Sequence, residues 1–174
     1  MKPNWVMLTI IGRDSSGIVA DISKALFESN CNLGETSMVR LGGNFTIMMM
    51  VQSEKSVDAI QQLISPVANQ RGLNIHVDAI DANLHRHKEP DVILRVHGAD
   101  RAGIIAQVTA AMADKGLNIL DLMSDVGGTD EAPFYMMTIN GQAEQGVEAL
   151  EKVAEALSNE GIDVHVDSIP MLLA

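Results

Sequence analysis

Hydrophobic and polar positions change their period along the first 30 residues. The run WVMLTII at residues 5–11 is short, apolar and rich in β-branched side chains, which is typical of a buried strand. Residues 16–30 instead place apolar side chains at helical spacing, with charged side chains on the other face. The apolar positions of this helix are Ile18, Ile22, Ala25 and Leu26. The pattern therefore predicts a strand followed by an amphipathic helix, with Asp14 or Ser15 as the helix N-cap.

Four further elements complete the first half. Their predicted bounds are 33–41, 44–52 and 73–80 for three strands and 56–71 for a second helix. The dipeptide Gly42-Gly43 suits a two-residue hairpin between the first two of these strands. Gly72 is a typical C-cap of the helix, whereas Pro66 is expected to kink it or to cost it a backbone hydrogen bond. The predicted order is βαββαβ.

The second half repeats this order. Strands are predicted at 92–97, 118–126, 134–140 and 162–169, one helix at 102–115, and another over Val147, Leu150, Val153 and Leu157. A longer hairpin at 127–133 is expected in the second copy. Beyond this hairpin, the residue-by-residue match between the two copies is expected to shift by three positions, so that Phe134 matches Phe45. The chain is therefore predicted to be a tandem duplication.

The element order indicates the fold class. With right-handed crossovers, a βαββαβ unit places both helices on one face of a four-stranded antiparallel sheet. The predicted class is therefore α+β, with two ferredoxin-like domains at residues 1–82 and 92–174 and a polar linker at 83–91. Each domain is near the lower size limit for a stable core. We therefore expect the sheets or their edges to pack together, and the chain to form a homo-oligomer.

One loop motif joins the first strand to the first helix in both halves. The sequence GRDSSGIV at 12–19 returns as GADRAGII at 98–105. The N–H groups at the start of a helix lack intrahelical partners and can receive a carboxylate. Asp14 and Asp100 can accept hydrogen bonds from an ammonium group at the same turns. The motif therefore suits a free α-amino acid, although an Asp before a helix is also the usual N-cap.

The candidate ligand-binding residues come from this motif and from the asparagine that opens the second strand of each half. Asn32 and Asn118 are expected to lie beside the turn of their own half, where an amide can donate or accept a hydrogen bond. Because Ser15-Ser16 in one copy is replaced by Arg101-Ala102 in the other, the two sites need not bind equally. The full set is Asp14, Ser15, Ser16, Gly17, Ile18 and Asn32 in the first half, and Asp100, Arg101, Ala102, Gly103, Ile104 and Asn118 in the second.

Composition narrows the classes of partner. The chain has a formal net charge of −11, 47% apolar residues and only 3% aromatic residues. Residues 1–86 carry seven Lys/Arg and eight Asp/Glu, and residues 87–174 carry five and fifteen, so the halves have charges of −1 and −10. Without a basic cluster, this negative charge disfavours direct nucleic-acid binding. The acidic second half is expected either to confer solubility or to dock a basic protein partner.

The sequence offers little evidence for a catalytic site, a cofactor-binding site or a membrane-spanning segment. The sequence contains no nucleophile motif, phosphate-binding loop or metal motif, so we expect a non-enzyme that needs no cofactor. His85, His87 and Glu89 resemble metal ligands, but in a charged linker they are expected to be solvated. The single cysteine, Cys31, excludes an internal disulfide and favours a cytoplasmic location. No apolar run approaches the ~20 residues of a membrane span.

These features together resemble a known domain family. Each half combines the βαββαβ order with the turn G-x-D-x-x-G-I and an Asn at the start of the second strand, which resembles the ACT domain, a regulatory module that typically senses amino acids. Two such domains with little else resemble the glycine cleavage system transcriptional repressor family, whose members act through a partner activator. The resemblance implies that the candidate residues line an effector site at a domain interface. One departure is Ser16 or Ala102 where the family often has Pro.

The resemblance implies a regulatory function without catalysis. We expect a small molecule, an amino acid such as glycine or serine, to control association with a protein partner, here a transcriptional activator of glycine cleavage genes. The expected mechanism is allosteric, by a population shift on ligand binding. The alternative is an interaction or oligomerisation module whose effector sites are vestigial. Stabilisation of the fold by a ligand distinguishes the two.

Overall fold

The computed structural model describes residues 4–81, 88–99, 102–129 and 132–170. The chain divides into two compact units, Met1–His85 and Arg86–Ala174. The first unit comprises β1 (Asn4–Arg13), α1 (Ile18–Glu28), β2 (Asn32–Leu41), β3 (Asn44–Ser53), α2 (Val57–Arg71) and β4 (Asn74–Ile80). The second comprises β5 (Val92–Ala99), α3 (Ile104–Ala113), β6 (Leu117–Thr129), β7 (Ala132–Ala143), α4 (Val147–Asn159) and β8 (Ile162–Ser168). Each unit therefore has the predicted βαββαβ order.

Each unit contains one four-stranded antiparallel sheet, with strand orders β2-β3-β1-β4 and β6-β7-β5-β8. The central strands of the first sheet alternate buried and more exposed residues, so one face packs against the helices. Each unit has its own apolar core. Fully buried core residues include Leu8, Ile22, Ile47 and Ile64 in the first unit, and Leu94, Val108, Ile139 and Leu150 in the second. The predicted α+β class is confirmed.

Helix α2 shows how local sequence sets the ends of an element. The Ser56 hydroxyl accepts a hydrogen bond from the Ala59 N–H at 3.2 Å and so caps the helix. Gly72 ends the helix in the left-handed conformation, with φ of 65°, as predicted. Pro66 lies inside the helix at an exposed position, where it supplies no backbone N–H. None of the helices that the structure describes is long and apolar enough to cross a membrane.

The hairpin of the first unit agrees with its prediction, and that of the second does not. Gly42-Gly43 forms the expected two-residue turn, with φ angles of 54° and 79°. In the second unit, β6 and β7 stay paired as far as Thr129 and Ala132. The prediction of a long loop at 127–133 is therefore wrong, because pairing satisfies backbone groups that an irregular loop would leave to solvent.

The register of β7 corrects the predicted match between the two copies. Tyr135 pairs with Gly98, as Phe45 pairs with Gly12 in the first unit. Tyr135 and Phe45 are 6% and 2% exposed, whereas Phe134 is 43% exposed. The predicted match of Phe134 with Phe45 is therefore wrong by one position. Since successive strand residues face opposite sides of a sheet, only Tyr135 can occupy the buried position that Phe45 has in the first unit.

Candidate functional site

A cavity of about 270 Å³ lies at the turn between β1 and α1. Its lining residues are, from the loop and the first helical turn, Asp14, Ser15, Gly17, Ile18, Val19 and Ala20, and from the sheet, Met38, Phe45 and Ile47. The structure therefore combines the predicted loop residues with an apolar floor. Small-molecule sites typically enclose ~300–1,000 Å³, so this cavity lies just below that range and has room for a free amino acid.

The first turn of α1 provides unpaired donors at this cavity. The N-cap is Gly17, with φ of 89°, and no side chain caps the helix. The prediction that Asp14 or Ser15 is the N-cap is therefore wrong. The first intrahelical bond runs from the Asp21 N–H to the Gly17 carbonyl, at 3.0 Å. Residues 18–20, which line the cavity, thus have N–H groups without an intrahelical acceptor.

Asp14 is held by the β2–β3 hairpin. Its N–H donates to the Gly43 carbonyl at 3.1 Å, and its carboxylate pairs with the Arg40 guanidinium at 2.6 Å. This pairing draws the carboxylate toward β2, which is why it does not cap α1. The Arg40 side chain is 66% exposed, so solvent screens the pair. A carboxylate has further acceptor positions, and Asp14 can therefore accept a hydrogen bond from a ligand ammonium while it pairs with Arg40.

Arg71, at the end of α2, supports the turn and was missed in the sequence. Its Nε and Nη2 groups donate to Asp21 at 3.0 and 2.5 Å, and its Nη1 group donates to the Ser16 carbonyl at 2.9 Å. The guanidinium therefore fixes the loop and neutralises the acidic residue in the first turn of α1. Ser16, which does not line the cavity, is placed by this bond. Arg71 and Ser16 are 55 positions apart, and no local pattern links them.

Asn32 does not lie beside the turn, and this prediction is wrong. Asn32 pairs with Gln52, which pairs with Trp5 at the start of β1, whereas the turn follows Arg13 at its end. Eight residues of strand separate the two ends, or roughly 26 Å at ~3.3 Å per residue. The reason is topological: α1 returns the chain to the end of the sheet where β1 begins, so β2 opens there.

The same topology removes Asn118 from the turn of the second unit. Asn118 pairs with Gln142, one residue from the pair Gly141 and Val92 at the start of β5. The turn follows the other end of β5. Neither asparagine can therefore contact a ligand at the turn of its own unit.

The second turn is described only in part, because Asp100 and Arg101 lie outside the described residues. Gly103 is the N-cap of α3, with φ of 90° and no side-chain cap, as Gly17 is in the first unit. Ile104 is buried and Ala102 is exposed. The start of the helix is thus the same in both units.

The residues around the two turns differ in chemistry. By register, Val126 takes the position of Arg40, and Tyr135 takes that of Phe45. The Tyr135 hydroxyl is buried and has no hydrogen-bond partner among the described residues. Leaving such a group unpaired costs about 1–3 kcal/mol. The second unit therefore replaces a cation with an apolar side chain and adds a polar group to its core.

Outside this turn, the described residues form no other cavity or side-chain cluster that matches a predicted site. Larger cavities of about 400 to 550 Å³ occur, but none of them contains a predicted ligand-binding residue. The described residues hold no group of His, Cys, Asp and Glu that could bind a metal, while His85 and His87 lie outside them. Cys31 is a buried free thiol, with Sγ 3.5 Å from Ser53 Oγ.

Family models for the ACT domain match both halves of the chain, at residues 4–78 and 92–158. UPF0237 protein YjhC of Lactococcus lactis is 36% identical over 83 residues, which is 46% of this chain and 95% of that protein. YjhC is thus about as long as one unit of this chain.

Two further comparisons extend over both units. The glycine cleavage system transcriptional repressor of Escherichia coli is 25% identical over 122 residues, which is 70% of this chain and 64% of that protein. A crystal structure of an unknown protein from Galdieria sulphuraria shares the fold with a TM-score of 0.73 at 24% identity, covering 97% of this chain and all of that one. The two-domain architecture therefore occurs in a solved protein.

Proposed function

This chain belongs to the ACT domain family, with one domain in each half, and from this we propose that it is a non-catalytic regulatory protein. Its effector is a free amino acid such as glycine or serine. Effector binding changes the association of the chain with a protein partner, a transcriptional regulator of glycine cleavage.

The cavity at the first turn is the observation that carries this proposal. Residues 18–20 line the cavity, and their N–H groups, which lack intrahelical acceptors, can donate to a carboxylate. On the same loop is Asp14, whose carboxylate can accept from an ammonium group. The two charged groups of an α-amino acid are thus complemented within one small cavity.

The apolar floor limits the side chain of the effector. The side chains of Met38, Phe45 and Ile47 offer no hydrogen-bond donor to a ligand. A charged or strongly polar effector side chain directed at this floor is therefore disfavoured. We expect an affinity in the range of metabolite concentrations, with a dissociation constant of ~10 µM to 1 mM, or about −4 to −7 kcal/mol.

The proposed partner is suggested by similarity and charge. The chain is similar to the E. coli glycine cleavage system transcriptional repressor over 70% of its length. Residues 87–174 carry five Lys/Arg and fifteen Asp/Glu, which suits a partner with a basic surface. The effector acts by binding one conformation more tightly than another, which shifts their populations.

Thermal unfolding with and without ligand tests the effector proposal. Glycine or L-serine at 100 times the dissociation constant is expected to stabilise the protein by about 2.7 kcal/mol. Glycinamide, which lacks the carboxylate, is expected to stabilise far less. Asp14→Asn is expected to weaken the effect, whereas Asp78→Asn, a carboxylate on β4 paired with His76, serves as the control.

Two outcomes separate the proposed sensor from an interaction module with vestigial sites. If none of the common amino acids at 10 mM, roughly tenfold above the weakest expected constant, stabilises the protein, the effector proposal is wrong. If stabilisation occurs, capture of partners from a cytoplasmic extract with and without glycine tests regulation. A capture that does not respond to glycine contradicts the regulatory proposal.

A further inference from the structure

The Asp14 carboxylate that lines the cavity at the first turn is paired with the Arg40 guanidinium of β2, at 2.6 Å. We propose that Arg40 is a specificity-determining residue of this site, because it offsets the charge of Asp14 and so makes the cavity select a zwitterion over a simple amine or a simple acid. The inference rests on the proposed function, since it concerns how the same cavity distinguishes its ligands.

The two aspartates at the turn are each paired with an arginine from another element. Arg40 of β2 pairs with Asp14 at 2.6 Å, and Arg71 of α2 pairs with Asp21 at 2.5 Å. These four side chains have formal charges that sum to zero. A ligand without net charge therefore leaves the balance at the turn unchanged.

Arg13, which precedes Asp14, lies on the other face of the sheet. Successive residues of a strand face opposite sides, and Gly12 faces the end of α2, where a Cβ would lie 3.7 Å from the Gly72 carbonyl oxygen. The Arg13 side chain therefore points away from the helices and from the cavity beneath α1. Arg40, in contrast, is the register partner of Phe45, which lines the cavity.

The two paired arginines differ in what else they hold. Arg71 also donates to the Ser16 carbonyl at 2.9 Å, so its removal would release the loop. The Arg40 side chain is 66% exposed, and the loop backbone beside it is held independently by the bond from the Asp14 N–H to the Gly43 carbonyl, at 3.1 Å. Replacing Arg40 therefore changes the charge at the cavity while these bonds to the loop backbone remain.

The charge balance determines which ligands gain from the site. An amine that approaches Asp14 meets a carboxylate whose charge Arg40 already offsets, so it gains a hydrogen bond and little net attraction. An acid gains hydrogen bonds from the N–H groups of residues 18–20 but leaves the acceptor positions of Asp14 unused. A zwitterion satisfies both groups and adds no net charge.

Three probes of similar size test this inference: glycine, glycinamide and acetate. Nuclear magnetic resonance of the ¹⁵N-labelled full chain follows the amide signals of residues 17–20 at about pH 6, where an α-amino group is protonated. The unmodified chain is expected to bind glycine more tightly than either of the other two. The dissociation constants, compared between variants, then report selectivity.

Two single substitutions shift the charge balance in opposite directions. Arg40→Gln leaves Asp14 without its cation, and we expect it to tighten glycinamide binding and weaken acetate binding, each by roughly three- to tenfold. Asp14→Asn leaves Arg40 without its anion, and we expect the opposite shift of the ratio between acetate and glycinamide. A merely structural role of Arg40 would weaken all three ligands alike.

Lys24→Gln is the matched control. It removes the same charge from a pair, that of Lys24 with Glu28 at 3.8 Å, about two turns along α1. We expect it to leave the ranking of the three ligands unchanged. An equal shift in this control would overturn the inference, because it would show that net charge alone sets the ranking.

The outcomes separate this inference from the proposed function. If glycine binds the unmodified chain but Arg40→Gln leaves the ranking unchanged, the role of Arg40 is wrong and the proposed function stands. If glycine, serine and alanine all fail to bind, both are wrong. Thermal unfolding verifies that each variant is folded, and should one of the two fail to fold, the other decides, because an unchanged ranking in either contradicts the charge balance.

Discussion

Gly17 and Gly103 have nearly the same backbone conformation but different surroundings, which makes them a matched pair. Their φ angles are 89° and 90°. A Cβ on Gly17 would lie 3.1 Å from Arg71 Nη2, whereas a Cβ on Gly103 would meet no atom of the described residues within 4 Å. The left-handed conformation costs a side chain about 1–2 kcal/mol in either unit, and only the first unit adds crowding of the guanidinium.

We therefore expect Gly17→Ala to destabilise the first unit by more than Gly103→Ala destabilises the second, where the loss should be about 1–2 kcal/mol. Urea unfolding measures each loss in its own unit, because the single tryptophan, Trp5, is in the first unit and the single tyrosine, Tyr135, is in the second. Their fluorescence reports the two units separately. Equal losses would show that Arg71 yields freely and does not hold the turn.

The Tyr135 hydroxyl gives a second prediction at the residue scale. Because it is buried without a partner among the described residues, Tyr135→Phe removes an unsatisfied polar group. We expect the free energy of unfolding to rise by about 1 kcal/mol. The reverse exchange, Phe45→Tyr, should lower the stability of the first unit by about 1–3 kcal/mol. Circular dichroism follows both variants, and a loss of stability in Tyr135→Phe would mean that the hydroxyl has a partner.

At the scale of elements, Pro66 in α2 offers a test of helix propensity. Proline in a helix interior removes one backbone hydrogen bond and costs up to ~3 kcal/mol relative to alanine. Pro66 is exposed, so Pro66→Ala loses no core contact and is expected to stabilise the first unit by about 1–3 kcal/mol. Ser65→Ala, which removes only the hydroxyl bond to the Gln61 carbonyl, is the control and should change stability by less. Trp5 fluorescence during urea unfolding measures both.

The sequence predicted the elements better than it predicted the site. Where local residues determine the end of a helix or strand, the prediction agrees with the structure. Examples are the glycine that ends α2 and the Gly42-Gly43 turn. The capping of α1 does not agree, because the Asp14 carboxylate is drawn to Arg40 on a separate strand. Arg71 could not be foreseen, since its contact with the turn requires the end of α2 to lie beside the start of α1. Local sequence is enough to predict the helices and strands, whereas a binding site depends on how these elements pack against one another.

The position of Asn32 illustrates a different error. The order βαββαβ was known from the sequence, and it already implies that the second strand opens at the end of the sheet where the first strand begins. The prediction treated two residues near the same helix as neighbours, although α1 separates them by its length. The element order alone would have placed Asn32 correctly, whereas Tyr135 required the observed register of β7.

At the scale of the whole molecule, the two units share a fold and have diverged in charge. Each has its own core and the same strand order. Residues 1–86 have a formal charge of −1 and residues 87–174 a charge of −10. The pair of Arg40 in the first sheet and Val126 at the same register position in the second is one instance of this divergence. Fold and core packing thus persisted while surface charge changed, as expected if the units perform different tasks.

This divergence predicts that salt acts mainly on the second unit. Like charges confined to a compact unit repel one another, and the repulsion decreases as the Debye length falls from ~30 Å at 0.01 M salt to ~3 Å at 1 M. Raising sodium chloride from about 0.01 to 0.5 M, a range set by these screening lengths, should therefore increase the unfolding temperature reported by Tyr135. For a unit of this size, ~1 kcal/mol of relieved repulsion corresponds to about 4–8 °C. The Trp5 signal serves as the internal control and should change far less, because the first unit is nearly neutral. Equal increases in both signals would contradict the prediction, since they would indicate a general effect of salt on apolar burial and not relief of repulsion within the acidic unit.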